Sequence, residues 1–204
     1  MAVASQRNNS HPVVVGISGA SGSVLARRTI DRLLELSVPV VATCSAPARL
    51  VWQEEVEDDF RDVLEAWREH PLFSYYSIGD WKSPVASGTY PTRGMIVVPC
   101  SMTTMAAIVH GLGTNLLHRA ADVCLKENRR LVLVPRESPL SAVHLDNMLA
   151  AARLGATILP PEPAFYLHPT TVEDVVEFVV ERALVALGVL SEMGEGLTYQ
   201  PRSD

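Results

Sequence analysis

The chain has 204 residues, 48% of them hydrophobic and 20% charged, with a formal net charge of −6. That length suits one domain of α/β size, and the apolar fraction supports a substantial core, which excludes a disordered chain. The acidic balance argues against a protein that grips nucleic acid through a basic surface, and no apolar run approaches the roughly 18 residues of a membrane span. Cys44, Cys100 and Cys124 are odd in number and show no C-x-x-C spacing. They read as neither a disulfide framework nor a zinc site, and they fit a reducing, cytoplasmic setting. Residues 1–11 lack the apolar core of a signal peptide and read as a short disordered lead.

Along the chain, a β-branched run at Val13–Ile17 gives way to Ser18-Gly19-Ala20-Ser21-Gly22. After it, Ala26, Ile30, Leu33 and Leu34 fall on one helical face. Apolar runs at 38–44, 94–100, 131–135 and 156–160 read as further strands, and helical patterns occupy 103–110, 115–127 and 141–154. The last helix has the strongest periodicity. Val172, Val175, Val176, Val179, Val180, Ala183, Leu184 and Leu187 form one stripe that stops at Gly188. Continuous apolar strands separated by helices predict a doubly wound α/β fold, a mainly parallel sheet covered on both faces, in a single domain over 12–188. Residues 189–204 read as an extension that wraps a neighbouring subunit. Two stretches break the rhythm. Segment 53–62 carries six acidic residues, read mainly as a solvated helix face, and 70–92 is turn-rich and long for a loop, hence functional or partly structured.

In an open parallel sheet, ligands bind beyond the carboxyl ends of the strands. The segments after the five predicted strands are 18–22, Ser45, Ser101-Met102-Thr103-Thr104, Arg136-Glu137 and 161–166. Hydroxyls, glycines, an arginine and a glutamate therefore converge on one edge. Gly16-x-x-Gly19-x-x-Gly22 suits an anion at a helix N-terminus, although tight packing alone also selects glycine there. A dinucleotide needs an acidic residue at the end of the second strand; this one ends Thr43-Cys44-Ser45, so a mononucleotide matches better. Glu137 beside Arg136 reads either as half of a structural ion pair or as a proton donor tuned by burial against that cation. Arg119, Lys126 and Arg182 are surface charges by default, but Arg182 borders the apolar stripe of the last helix while Glu181 points away from it. Cys100 reads as a small buried apolar residue or as a nucleophile. The six histidines lack metal spacing, and no G-x-S-x-G elbow or P-loop lysine occurs.

Taken together, Gly19-Ala20-Ser21-Gly22, Pro99-Cys100-Ser101-Met102-Thr103-Thr104, the stretch from Asn115 through Arg119 and Lys126 to Glu127, Pro135-Arg136-Glu137-Ser138-Pro139, His144-Leu145-Asp146-Asn147 and Pro163-Ala164-Phe165-Tyr166 resemble the UbiX-type flavin prenyltransferases. The resemblance runs in family order from about Val13 to Leu187. It implies a flavodoxin/Rossmann-like three-layer α/β/α fold and a homo-dodecamer binding FMN at subunit interfaces. It also implies metal-independent transfer of a dimethylallyl group from dimethylallyl phosphate to N5 and C6 of reduced FMN, the product serving UbiD-type decarboxylases. By position, Gly19, Ala20, Ser21, Ser45, Ser101, Met102, Thr103, Thr104 and Arg136 would hold FMN. Lys126, Tyr166 and Arg182 would bind the allylic phosphate, with Arg119 and Ser87 on the same wall and Trp81 offering a π-face to the allyl cation. Glu137 is the expected acid, Ser21 a proton relay near N5, and Glu55 a second carboxylate at the pocket.

The chain departs from the family pattern in two places. Ser45 is followed by Ala46-Pro47 where the family usually has lysine, and the tail lacks the usual tryptophan, so that either Leu197 or Tyr199 covers the allyl site or the pocket is more open. Other readings are a non-catalytic carrier of FMN or prenylated FMN, a related FMN-dependent cysteine decarboxylase, and, last, an NAD-dependent reductase. Retention of Lys126, Glu137, Tyr166 and Arg182 weighs against the carrier. The cysteine decarboxylase lacks its Pro-x-Met-Asn-type segment here.

Overall fold

A computed structural model describes residues 10–199; most of the expected lead 1–11, and the end of the expected extension, lie outside the described residues. Six parallel strands are β1 Val13–Ile17, β2 Val40–Cys44, β3 Phe73–Tyr75, β4 Gly94–Cys100, β5 Arg130–Pro135 and β6 Thr157–Ile158. Seven helices are α1 Ser23–Glu35, α2 Ala46–Glu55, α3 Phe60–Arg68, α4 Met102–Val109, α5 Leu116–Lys126, α6 Ala142–Arg153 and α7 Val172–Leu187. The strand order is β3-β2-β1-β4-β5-β6, so the direction of winding reverses between β1 and β4. This is a doubly wound, flavodoxin/Rossmann-like three-layer α/β/α fold, and the reversal opens a crevice at the carboxyl ends of β1 and β4.

The strand sequences are apolar throughout because both faces are covered. In β1, Val13, Val15 and Ile17 join a core with α1, α2, α3 and α7, whereas Val14 joins the opposite core with α4, α5 and α6. β4 divides the same way, Ile96 and Val98 to the first core and Met95 and Val97 to the second. The side chains of one strand thus serve two helical layers, as a period of two requires.

Several sequence expectations change. The stretch 70–92 begins with the short strand β3, whose only buried residue is Phe73. An aromatic cluster fixes it: Trp67 lies 5.6 Å from Phe73, and Trp52 meets Phe60 and Trp67 edge-on at 5.2 and 6.1 Å. The acidic run does not form one helix. It breaks between α2 and α3, where Asp59 caps α3 by accepting the Arg61 N–H at 2.7 Å. The α7 stripe is buried from Val176 onward, but Val172 is exposed. Glu181 is the larger correction: it is 4% exposed and accepts from Arg32 Nε at 2.8 Å, while Arg182 is the exposed neighbour. The cation on α1 draws that face of α7 inward. Past Gly188 the tail folds back on its own chain, where Tyr199 meets Tyr166 edge-on at 5.8 Å.

Candidate active site

The carboxyl ends of the central strands are fastened sideways. Ser18, 1% exposed, donates its hydroxyl to Pro99 O at 2.9 Å and accepts the Ser101 N–H at 2.7 Å. Its own N–H also reaches Pro99 O, at 3.2 Å. Proline has no N–H for a sheet ladder, and β4 shifts register against β5 between Val97 and Cys100. The serine supplies the lateral bonds that the ladder lacks there. On either side, Ile17 O accepts the Ser45 N–H at 2.9 Å and Cys100 O accepts the Arg136 N–H at 3.2 Å. The ends of β2, β1, β4 and β5 therefore share one hydrogen-bonded rim.

Three helices start at this rim, and a helix N-terminus presents free N–H groups and partial positive charge. Ser45 caps α2 by accepting the Ala48 N–H at 3.3 Å, and Ser101 caps α4 by accepting the Thr104 N–H at 3.2 Å. α1 has no side-chain cap of its own, since Gly22 (φ 116°) occupies the position. Glu55, at the end of α2, does the work instead, accepting Gly22 N–H at 2.9 Å and Ser23 N–H at 2.8 Å. Burial raises the proton affinity of this carboxyl, but the Ser21 hydroxyl and the Ser23 and Gly22 N–H groups outweigh it and hold the group below the usual carboxylate range. Gly19 permits the close approach of the two loops, because a Cβ there would lie 2.5 Å from Pro47 Cβ. The glycine loop thus already holds an anion, and it is a protein carboxylate. What the caps leave for a ligand is the first turn of α4 and, at α2, a first turn in which Pro47 has no N–H, each with the remaining lone pair of its capping serine.

Next along the rim, Met102, Arg136, Glu137, Leu140 and Met148 line a cavity of about 280 Å³. Glu137 is exposed and accepts the Ser138 N–H at 3.1 Å. It forms no ion pair with Arg136 among the described residues, which corrects the structural pair expected from sequence. Cys100 is fully buried, and burial pushes its thiol up to about 12, so it is no nucleophile at neutral pH.

The other expected residues lie elsewhere. Ser87 (its Oγ 2.9 Å from Thr89 Oγ1), Arg119 (Nε donating to Ala86 O at 3.0 Å) and Lys126 (paired with Glu127) lie along α5, and Trp81, 51% exposed, is on the same β3–β4 connection. Tyr166 and Arg182 belong to the opposite side, with α7 and the tail. Lys126 ends α5 just before β5 begins, so it stands at the amino edge of the sheet while Glu137 stands beyond the carboxyl edge. β5 has six residues, which separates those edges by about 20 Å at roughly 3.3 Å per residue. One chain does not bring Lys126 and Glu137 to one point. A larger cavity, about 510 Å³ between α1, α7 and the tail, holds only Leu197 of the residues expected at the site, and its arginines Arg28 and Arg32 are already paired with Glu177 and Glu181. Among the described residues no group of three or more His, Cys, Asp or Glu could hold a metal, and no helix is long and apolar enough to cross a membrane.

Residues 1–184 match the Flavoprotein family. Flavin prenyltransferase UbiX of Halalkalibacterium halodurans is 42% identical over 88% of this chain and 89% of its own. The enzyme of the same name from Methanocaldococcus jannaschii is 40% identical over 87% and 93%. Among solved structures, AnUbiX in complex with FMN and dimethylallyl pyrophosphate superposes with a TM-score of 0.84 at 38% identity, covering 95% of this chain and 98% of that one. A dodecameric FMN-dependent UbiX-like decarboxylase from Escherichia coli O157:H7 gives 0.81 at 43% identity, covering 87% and 94%. Cysteine decarboxylases such as TvaF share only the fold, at 15% identity and a TM-score of 0.60. With relatives at 40% identity and above over most of its length, the chain belongs to the UbiX family of flavin prenyltransferases.

Proposed function

We propose that this protein joins a dimethylallyl group from dimethylallyl phosphate to N5 and C6 of reduced FMN, making prenylated FMN for a UbiD-type decarboxylase in the cytoplasm. The observation that carries this reading is the rim itself, where the serine-capped N-termini of α2 and α4 flank the winding reversal and a small cavity beside Glu137 follows at the end of β5. That donor set fits FMN: neutral N–H groups and hydroxyls for an anionic phosphate, and apolar Met102 for a flat ring. Gly19, Ala20, Ser21, Ser45, Ser101, Met102, Thr103, Thr104 and Arg136 would hold it, and reduced FMN supplies the nucleophilic positions.

The remaining roles fall to the chain's own side chains. Lys126, Tyr166 and Arg182, with Arg119 and Ser87, bind the phosphate, and Trp81 faces the allyl cation with an attraction of roughly 0.5–2 kcal/mol. Glu137 gives a proton to the departing phosphate and later accepts one from the ring. Ser21, bonded to Glu55, relays a proton nearby. Because Lys126 and Glu137 occupy opposite edges, neighbouring copies complete each site. A homo-oligomer such as the dodecamer of the Escherichia coli relative supports this, as do Val143, Leu145 and Leu149, which α6 leaves exposed.

The test is anaerobic incubation of the protein with reduced FMN and dimethylallyl phosphate, followed by mass spectrometry of the released flavin. A gain of one C5H8 unit is expected. Tightly bound, unmodified FMN would overturn the transferase in favour of a carrier.

A further inference from the structure

The β3–β4 connection runs along the outside of α5 and is tied to it by one backbone bond and by arginine side chains of the α5 region. Leu116 N–H donates to Ile78 O at 2.9 Å, and Arg119 Nε donates to Ala86 O at 3.0 Å. Arg129 contributes most, its guanidinium donating to Gly88 O at 2.5 Å, Tyr90 O at 2.8 Å and Thr92 Oγ1 at 3.3 Å. No function described above uses Arg129. At Gly88, an added methyl group would overlap Lys126 Nζ and Glu127 Oε1, which pair with each other directly over this bare backbone. A lysine ammonium is a point charge on a flexible stem and does not fix its own position. Here its surroundings fix it.

We propose that Arg129 and Gly88 are positioning residues for Lys126: Arg129 holds the loop in place, and Gly88 leaves the space in which the ammonium rests, 43% exposed and open to an anion. The inference rests on the reading of Lys126 as a phosphate ligand and adds what sets its place. Gly88 has no left-handed φ, so alanine accepts the backbone, and the overlapped atoms are the ends of two flexible side chains. Gly88→Ala therefore keeps the fold and moves the ammonium.

The experiment is calorimetric titration of the full-length protein with inorganic phosphate and with dimethylallyl phosphate, alongside melting curves and FMN affinity. Gly88→Ala should bind both phosphates about tenfold more weakly, with Tm and FMN affinity unchanged. Arg129→Met should weaken them similarly, and Arg129→Lys should restore only part, because it lacks the fork that spans three acceptors. In a Lys126→Met background, Gly88→Ala should have no further effect. Unchanged phosphate binding in Gly88→Ala or in Lys126→Met, or an equal loss in both backgrounds, would overturn the proposal. Failure of the proposed activity shows separately, as wild-type protein that leaves FMN unmodified while this phosphate-binding pattern stands.

Discussion

At the carboxyl edge of the sheet, the polar groups are held by backbone and short side chains: Ser18 bridging β1 and β4, Ser45 and Ser101 capping helices, Glu55 closing α1. Along the α5 flank, the candidate groups are long and half in water, with Lys126 43% and the Arg119 side chain 34% exposed. The difference is one of task. A cofactor that must present one atom to a reactant needs a frame with few rotatable bonds. An anion arriving from water needs charge near its path.

Substitutions can break that contrast from either side. The largest effect is expected at Glu137. Glu137→Gln should slow prenyl transfer by about a hundredfold to ten-thousandfold, the range of a lost proton-transfer catalyst, with FMN affinity kept. Loss of FMN together with activity would make this residue part of the frame instead. Ser18→Ala comes next. It leaves the buried Ser101 N–H without its partner, at a cost of about 1–3 kcal/mol. FMN binding should weaken while phosphate binding on the flank is untouched; equal loss of both in folded protein would erase the division.

Glu55 sharpens the contrast through pH. Its carboxyl is held below the usual range in the folded state. The stabilisation is therefore complete above the unfolded value, about 4.3, and is lost as pH falls through the folded one. Glu55→Gln should cost about 1 kcal/mol at neutral pH, as a lost helix cap does. Melting of the two proteins should converge as pH falls through the folded value, and a constant gap across that window would assign the effect to packing. Smallest is Tyr199→Ala. If Tyr199 stands in for the tryptophan of other family members, Km for the allylic donor should rise about threefold with kcat and Tm nearly constant, as loss of one edge-on aromatic contact predicts. No change would leave Tyr199 a passive part of the tail.

The layers of this fold were readable because its strands are apolar without interruption and its helices keep a 3.6-residue stripe; Val13–Ile17 and Val176–Leu187 needed nothing more. β3 was not readable, since a three-residue strand with one buried side chain carries no periodicity and depends on Trp67, supplied by a different element. The rotational phase of Glu181 escaped for a related reason, because Arg32 on α1 rather than the α7 pattern decides it. At the rim, the segments after each strand pointed to the right edge. That Glu55, 33 positions beyond Gly22, would close the glycine loop is a tertiary event with no local mark. Arg129 was hidden more simply, as one of two adjacent arginines after a helix, where a solvated charge is the ordinary expectation.

The placement of Lys126 and Glu137 at opposite edges has a genetic consequence on the proposed assignment. Each site would draw its acid from one copy and its ammonium from another, so two differently damaged chains could rescue one another. Randomly mixed equal amounts of Glu137→Gln and Lys126→Met subunits should regain about one quarter of the intact sites, although neither variant is active alone. Conversely, a chain harmed at one edge would spoil sites on healthy partners, so a carrier of one good and one bad allele would lose more than half of its activity only if both edges were hit.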